Sequence, residues 1–331
     1  MKWFSRFNFL FLNINLPITY LFSKLTYLSF LFLIAILLHP SLSLSSKKLN
    51  GVLITKSEKN YDLQLKARNF AQGELILVKI IPKKKAVVDL ELKLTADGEE
   101  IPLSTVGVNR VGFIPISPER TPGPMLIELF SKILFVKYGS KKYQIDVQKT
   151  DFIVIKKQSI SLNKKYTSSN LSKETYQFIE DCTKAKAKAF SSNTEFQISS
   201  GFINPVKSVY ITSPFYVRRD YNKKKGRPHG GLDFRGAKGT DIFAIQDGTV
   251  VLAREMYYEG NFTIIDHGNK IFSYYMHQSK LLVKPGDKVK KGQKIGKIGS
   301  TGMSTGPHLH LGFKIGSTIL NPESVLFLTE L

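Results

Sequence analysis

Cysteine is almost missing from this chain: Cys182 stands alone among 331 residues. That excludes an intramolecular disulfide framework and any cysteine-rich structural zinc site, and leaves metal chemistry to His, Asp and Glu. Histidine is scarce too, with six in all, so their spacing carries information. Acidic residues are outnumbered, 26 Asp+Glu against 48 Lys+Arg, for a formal charge of +22. A surplus of that size suits anionic surroundings such as nucleic acid, phospholipid head groups or acidic cell-wall polymers, without choosing among them. The apolar run Leu25 to Leu38 covers 14 residues, short of the roughly 20 that a membrane-spanning helix needs. With 42% hydrophobic and 22% charged residues, the composition is that of globular domains, and the length favours two of them over one.

Near the N-terminus, Lys2 and Arg6 precede an apolar stretch broken by Asn13, Asn15 and Pro17, and Lys24 introduces the Leu25 to Leu38 run. Small residues follow at Ser41, Ser43 and Ser45. Residues 1–45 therefore read as a secretory signal peptide cleaved near 43–46 or, since Phe7 to Phe22 lengthens it, as an uncleaved membrane anchor. Either reading exports the remainder, to the periplasm or cell envelope. His39 falls in this segment and has no bearing on catalysis.

From 46 to 157 apolar residues recur with period two. Val88, Leu90, Leu92 and Leu94 alternate with Asp89, Glu91 and Lys93, and Tyr143, Ile145 and Val147 alternate with Gln144 and Asp146. Half-buried strands punctuated by Gly73, Pro82, Asp97-Gly98, Pro122-Gly123-Pro124 and Gly139 predict an Ig-like β-sandwich with no catalytic cluster. Residues 158–200 read as a polar linker with a short helix, capped by Asn170 and carrying Tyr176, Phe178, Ile179 and Cys182. Its lysines, Lys184, Lys186 and Lys188, read as a solvated face.

The remaining five histidines lie beyond residue 228, and all but His267 fall in three elements: His229-Gly230-Gly231-Leu232-Asp233, Tyr274-Tyr275-Met276-His277 and His308-Leu309-His310. A catalytic zinc takes three ligands from His, Asp or Glu and leaves a fourth position open. His229 and Asp233 would stand about 13 Å apart in a regular strand, so Gly230-Gly231 is expected to bend the chain and bring both to one ion. His308 and His310 share one face of a strand, roughly 7 Å apart. One can bind the ion while the other moves protons. Zinc lowers the pKa of its water to about 7, and an imidazole near 6.5 is matched to that proton. A further imidazole, His277, could stabilise an oxyanion. His267, in Asp266-His267-Gly268, reads as a structural hydrogen-bonding residue. No His-Glu pair occurs, so a helical zincin motif is excluded.

Those elements, together with Ile211-Thr212-Ser213, Arg218-Arg219, Gly286-Asp287, Gly292-Gln293-Lys294-Ile295-Gly296 and Gly299-Ser300-Thr301-Gly302, closely resemble the lysostaphin-type (LytM-like) zinc metalloendopeptidases over about residues 200 to 325. The resemblance implies an all-β chain whose domain 201–331 is a β-sheet barrel-sandwich hybrid with a groove. It also implies one Zn2+ held by His229, Asp233 and His310, with His308 and His277 as the catalytic pair. Peptidoglycan, through its cross-links or stem peptides, would be the substrate. Met276 and Gln278 depart from the family, which usually has a small residue before this histidine and leucine after it.

Two other readings compete. A non-catalytic LytM-like regulator of another wall hydrolase would bind peptidoglycan or a partner, but such relatives commonly lose a metal ligand and this chain keeps all three. A nucleic-acid binder has only the charge in its favour, and export together with the missing binding motif argues against it. Anionic envelope polymers, and a membrane touched by the N-terminal segment, account for the charge as well.

Overall fold

Period-two alternation becomes strands throughout the first half. They are β1 (Val52–Ser57), β2 (Tyr61–Ala67), β3 (Leu75–Pro82), β4 (Leu92–Ala96), β5 (Glu99–Ile101), β6 (Ser104–Val106), β7 (Asn109–Pro115), β8 (Gly123–Ile133) and β9 (Val136–Val147). They form two sheets, of order β1-β2-β3-β7-β6 and β5-β4-β8-β9. Leu63, Leu65, Ile76, Val78 and Ile80 of the first sheet pack against Leu94, Ile127, Leu129 and Ile145 of the second. The structure is a computed structural model describing residues 51–83, 91–133, 136–157, 164–167, 170–221 and 225–331. The signal segment and His39, and the strand start at Val88 and Leu90, lie outside the described residues. No described helix is long and apolar enough to cross a membrane.

Strand β3 reads Leu-Ile-Leu-Val without a polar break because both its faces are covered. Ile76 and Val78 face the sandwich core. Leu75 and Leu77, with Val111 and Phe113 of β7, instead join a second core containing Ile198, Phe202, Phe313 and Leu328. Phe113 meets the Phe202 ring edge-on at 6.2 Å. Each such buried side chain contributes about 1.5–3 kcal/mol, so this contact is part of one folded body, and Asn50–Leu331 is a single compact unit.

A helix, Lys173–Phe190, follows the sandwich. Its N-cap is Ser172, whose hydroxyl accepts from the Thr175 amide at 3.2 Å, two residues past the expected Asn170. Cys182 and Ala189 pack on Leu252, Met256, Tyr257, Phe272 and Tyr274. The lysines divide: Lys184 pairs with exposed Glu180 at 2.6 Å, whereas Lys186 turns inward to buried Glu259.

The C-terminal part contains β10 (Val154–Lys157), β11 (Ile211–Ser213), β12 (Arg218–Tyr221), β13 (Leu232–Arg235), β14 (Asp241–Phe243), β15 (Gly248–Met256), β16 (Gly260–Asp266), β17 (Ile271–Gln278), β18 (Lys280–Leu281), β19 (Lys288–Val289), β20 (Lys294–Lys297), β21 (His308–Ile315) and β22 (Thr318–Leu320). A large sheet of order β11-β13-β21-β17-β16-β15-β19, with β22 beside β21, faces a small one, β14-β20-β18. Leu309 and Leu311 of β21 point into the core between them. The alternate residues His308 and His310 therefore point the other way, toward the side on which the helix lies.

Candidate metal centre and catalytic histidines

Strand pairing brings the elements together. β13 and β21 are antiparallel with Asp233 opposite His310, and β17 lies on the other side of β21 with Met276 opposite His310. His229 sits just before β13, where its amide donates to the Val217 carbonyl at 3.0 Å and its own carbonyl accepts from the Tyr216 amide at 2.9 Å. The curved path places His229 Nε2 3.0 Å from Asp233 Oδ1 and 2.9 Å from His310 Nδ1, and His310 Nδ1 lies 2.9 Å from the same oxygen. The two glycines act differently from the expectation: neither has a left-handed φ. Gly231 is needed for space, since a Cβ there would stand 2.6 Å from His310 Nε2.

The triangle presents three electron-rich atoms to one another. His229 Nδ1 is 2.9 Å from the Pro214 carbonyl, an acceptor, so the ring proton sits on Nδ1 and Nε2 offers a lone pair. Burial alone would raise the Asp233 carboxyl, but the adjoining His229 and His310 imidazoles hold it far below the usual carboxylate range. Burial lowers the His310 imidazole, favouring the neutral, ligating form. Lone pairs and an anionic oxygen at such separations repel unless a cation lies among them. A nitrogen and oxygen donor set with edges near 3 Å fits a tetrahedral zinc, whose ligands stand about 2.0–2.2 Å from the ion. His229, Asp233 and His310 are also the one group among the described residues whose ligand atoms gather within 4.8 Å as a metal site would require.

Beside the triangle, His308 Nε2 is 3.8 Å from Asp233 Oδ1, and its Nδ1 donates to the Gly306 carbonyl at 2.8 Å. His277 lies with its ring centroid 4.8 Å from that of His308 and 6.3 Å from that of His310. Strict alternation would turn His277 away from His310, because its neighbour Met276 already shares that face. A bulge resolves the conflict: the β16–β17 register shifts between Asn261 and Thr263, and His277 takes a φ of 62°. Bulges of this kind re-aim side chains. The amide of His277 donates to the Glu259 carbonyl and its Nδ1 to the Thr301 carbonyl, both at 2.9 Å. Burial, reinforced by the nearby His308, pulls its pKa down to about 4. Gln278, one of the two departures, braces the bulge: its amide nitrogen donates to Thr263 Oγ1 at 2.9 Å and the Tyr275 carbonyl at 3.0 Å.

His267 stays out of the cluster. It is fully buried, with Nδ1 2.6 Å from the Asp247 carbonyl and Nε2 2.8 Å from Ser273 Oγ, which is the structural role expected of it. Tyr274 takes a part that spacing did not reveal. Its ring stacks on His310 at 6.3 Å, its hydroxyl donates to the Gly230 carbonyl at 2.8 Å, and Gly312 leaves room for it, since a Cβ there would lie 1.9 Å from the ring.

Residues 227–322 match the family model of Peptidase family M23. The C-terminal domain belongs to that family. The peptidoglycan DD-endopeptidase ShyA of Vibrio cholerae is 47% identical over 108 residues, 32% of this chain and 25% of the relative. The DD-carboxypeptidase/endopeptidase Mpg of Neisseria meningitidis is 37% identical over 130 residues, 39% and 30% of the two chains. The chain thus spans about a quarter to a third of the length of these relatives. A solved candidate M23 peptidase from Pseudomonas aeruginosa superposes with a TM-score of 0.56 at 22% identity, covering 79% of this chain and 96% of the other. That likeness extends the shared fold beyond the M23 domain into the sandwich.

Proposed function

We propose that this protein is an exported zinc metalloendopeptidase that hydrolyses peptide bonds of bacterial peptidoglycan, acting in the periplasm or cell envelope. The observation that carries the reading is the convergence of His229 Nε2, Asp233 Oδ1 and His310 Nδ1 at 2.9–3.0 Å, with two further imidazoles alongside. Its substrate class is supported by the M23 match and by relatives named as peptidoglycan endopeptidases. Zinc held by His229, Asp233 and His310 would supply Lewis acidity and acidify a water.

The rest is done by the chain. Gly306 and Thr301 carbonyls hold the Nδ1 protons of His308 and His277, so each ring presents a bare Nε2. His308 Nε2, near the triangle, takes the proton of the attacking water and returns it to the departing amine. His277 stabilises the oxyanion once Nε2 has taken a proton from solvent, an uptake that growing negative charge beside it favours against its burial. Tyr274 keeps His310 in place. The N-terminal segment supplies export, and the surplus of lysine and arginine suits an anionic envelope.

The test is to incubate the purified chain with isolated peptidoglycan, with and without a chelator, and to read released fragments by mass spectrometry. Chelator-sensitive release of new peptide termini, restored by zinc, is expected. A zinc-loaded chain that releases nothing would instead favour a regulator of another wall hydrolase.

A further inference from the structure

We propose that Glu119 and Phe152, from the sandwich and the segment leaving it, are positioning residues for the metal ligand His229, acting through the turn Pro214–Val217. The proposal rests on the functional reading above, in which His229 binds the ion. The turn touches His229 at three points: the Pro214 carbonyl faces ring Nδ1 at 2.9 Å, the Tyr216 amide donates to the His229 carbonyl at 2.9 Å, and the Val217 carbonyl accepts the His229 amide at 3.0 Å. It thereby sets both the ring's tautomer and its direction. An alternative acceptor for Nδ1, Ser213 Oγ, is 3.4 Å away and itself held by Arg219 at 2.9 Å.

This turn is not a conformation the residues would adopt alone. Tyr216 has a φ of 60°, a region that bulky L-residues avoid. What holds it comes from outside the M23 domain. The Tyr216 hydroxyl donates to Glu119 Oε1 at 2.7 Å, and the Phe152 ring lies 4.6 Å from the Tyr216 ring and 6.2 Å from that of Phe215. Just beyond, the Arg218 amide donates to the Ile153 carbonyl at 2.9 Å, starting the parallel pairing of β10 with β12. Burial and the Glu119 contact raise the phenol's pKa to about 12, so it remains a donor at any ordinary pH. The side chain is gripped on two sides while its backbone is strained, the arrangement of a clamp.

Outer partners of metal-bound histidines typically change affinity 10–100-fold when lost. The probe is zinc alone, titrated into the full chain against a chromophoric chelator, with circular dichroism reporting the fold. Tyr216→Ala removes the grip and keeps the strain, and is expected to bind zinc about tenfold more weakly. Tyr216→Gly removes both, and is expected to stay within about threefold of the unaltered chain. Loss of a merely structural side chain would weaken glycine at least as much as alanine. Unaltered affinity in Tyr216→Ala, or equal loss in the two variants, would overturn the clamp. If Tyr216→Ala does not fold, Glu119→Ala at an exposed position decides it: about threefold weaker binding supports the proposal and unchanged binding overturns it. A chain that binds no zinc before any substitution overturns the functional reading, and the clamp with it.

Discussion

The sandwich and the M23 domain are built from the same kind of strand, yet they bury different things. Among the described residues, the buried polar side chains of the sandwich are Glu74 and Ser131, and Glu74 is answered by Arg68. Residues 198–331 bury His267, His277, His310, Glu259, Asp266, Gln246 and Gln278 among others. A buried polar group without partners costs about 1–3 kcal/mol, so a domain that takes in so many has organised them for something other than stability. Chemistry in this chain is located by what a β-fold hides as well as by what it exposes. Substitutions in the two regions are therefore expected to fail differently, one set in stability and the other in zinc binding and turnover.

The largest break should come at β21, where adjacent histidines on one face divide the labour. His310→Ala is expected to lose zinc and activity together. His308→Ala should keep its zinc by metal analysis while peptidoglycan release falls about 10²–10⁴-fold. Equal loss of zinc in both variants would remove the distinction between ligand and proton carrier.

At the sandwich core the effect should be confined to stability. Ile76 is fully buried between the two sheets, and Ile76→Ala is expected to lower unfolding free energy by about 2–5 kcal/mol, read by denaturant titration. The folded fraction should bind zinc as before. A matching fall in affinity would show that the two regions are coupled through their shared core as well as through the Pro214–Val217 turn.

Much of this was legible in the sequence because it follows from spacing. Period-two runs announced the sandwich, and His308-Leu309-His310 announced two imidazoles on one face. The exceptions were features set by tertiary geometry. Nothing in Tyr275-Met276-His277 signals that the strand bulges and that His277 adopts φ 62° to rejoin the face of His310. The Gly231 requirement is one of room beside His310, visible only once β13 and β21 are paired. The unbroken Leu75–Val78 run could have suggested a strand covered on both faces, but not that Phe202 and Phe313 would do the covering. The helix cap fell at Ser172 because the hydroxyl, rather than the expected Asn170, reaches an open amide.

A smaller effect comes from His267, which tests the structural side of polar burial. Its burial depresses the folded-state pKa to about 4, below the usual 6.5 of an unfolded histidine. The unfolded chain therefore binds the proton first. The stability this group contributes is complete above about pH 6.5 and is lost as pH falls toward 4, by up to about 3 kcal/mol. Denaturant midpoints across that window should fall in the unaltered chain and fall less in His267→Gln. A parallel decline in both would place the acid sensitivity elsewhere.

The smallest contrast lies within one helix and sharpens the same distinction. Lys184 and Lys186 are two residues apart, so they stand on different sides of the helix. Lys184 meets exposed Glu180, and Lys184→Ala should leave the thermal midpoint unchanged, as exposed ion pairs of this kind commonly do. Lys186 neutralises the Glu259 side chain, which is only 10% exposed, and the Glu259 backbone carbonyl accepts from the His277 amide. Lys186→Met strands that charge, and since the lysine is itself partly solvated the expected cost is about 1–2 kcal/mol. Glu259 stands between the helix and the bulge, so disturbing it should also slow turnover modestly at unchanged zinc content. Equal silence at both lysines would mean that the helix only covers the sheet, whereas a fall in turnover at Lys186 alone would make its inward face part of the support for His277.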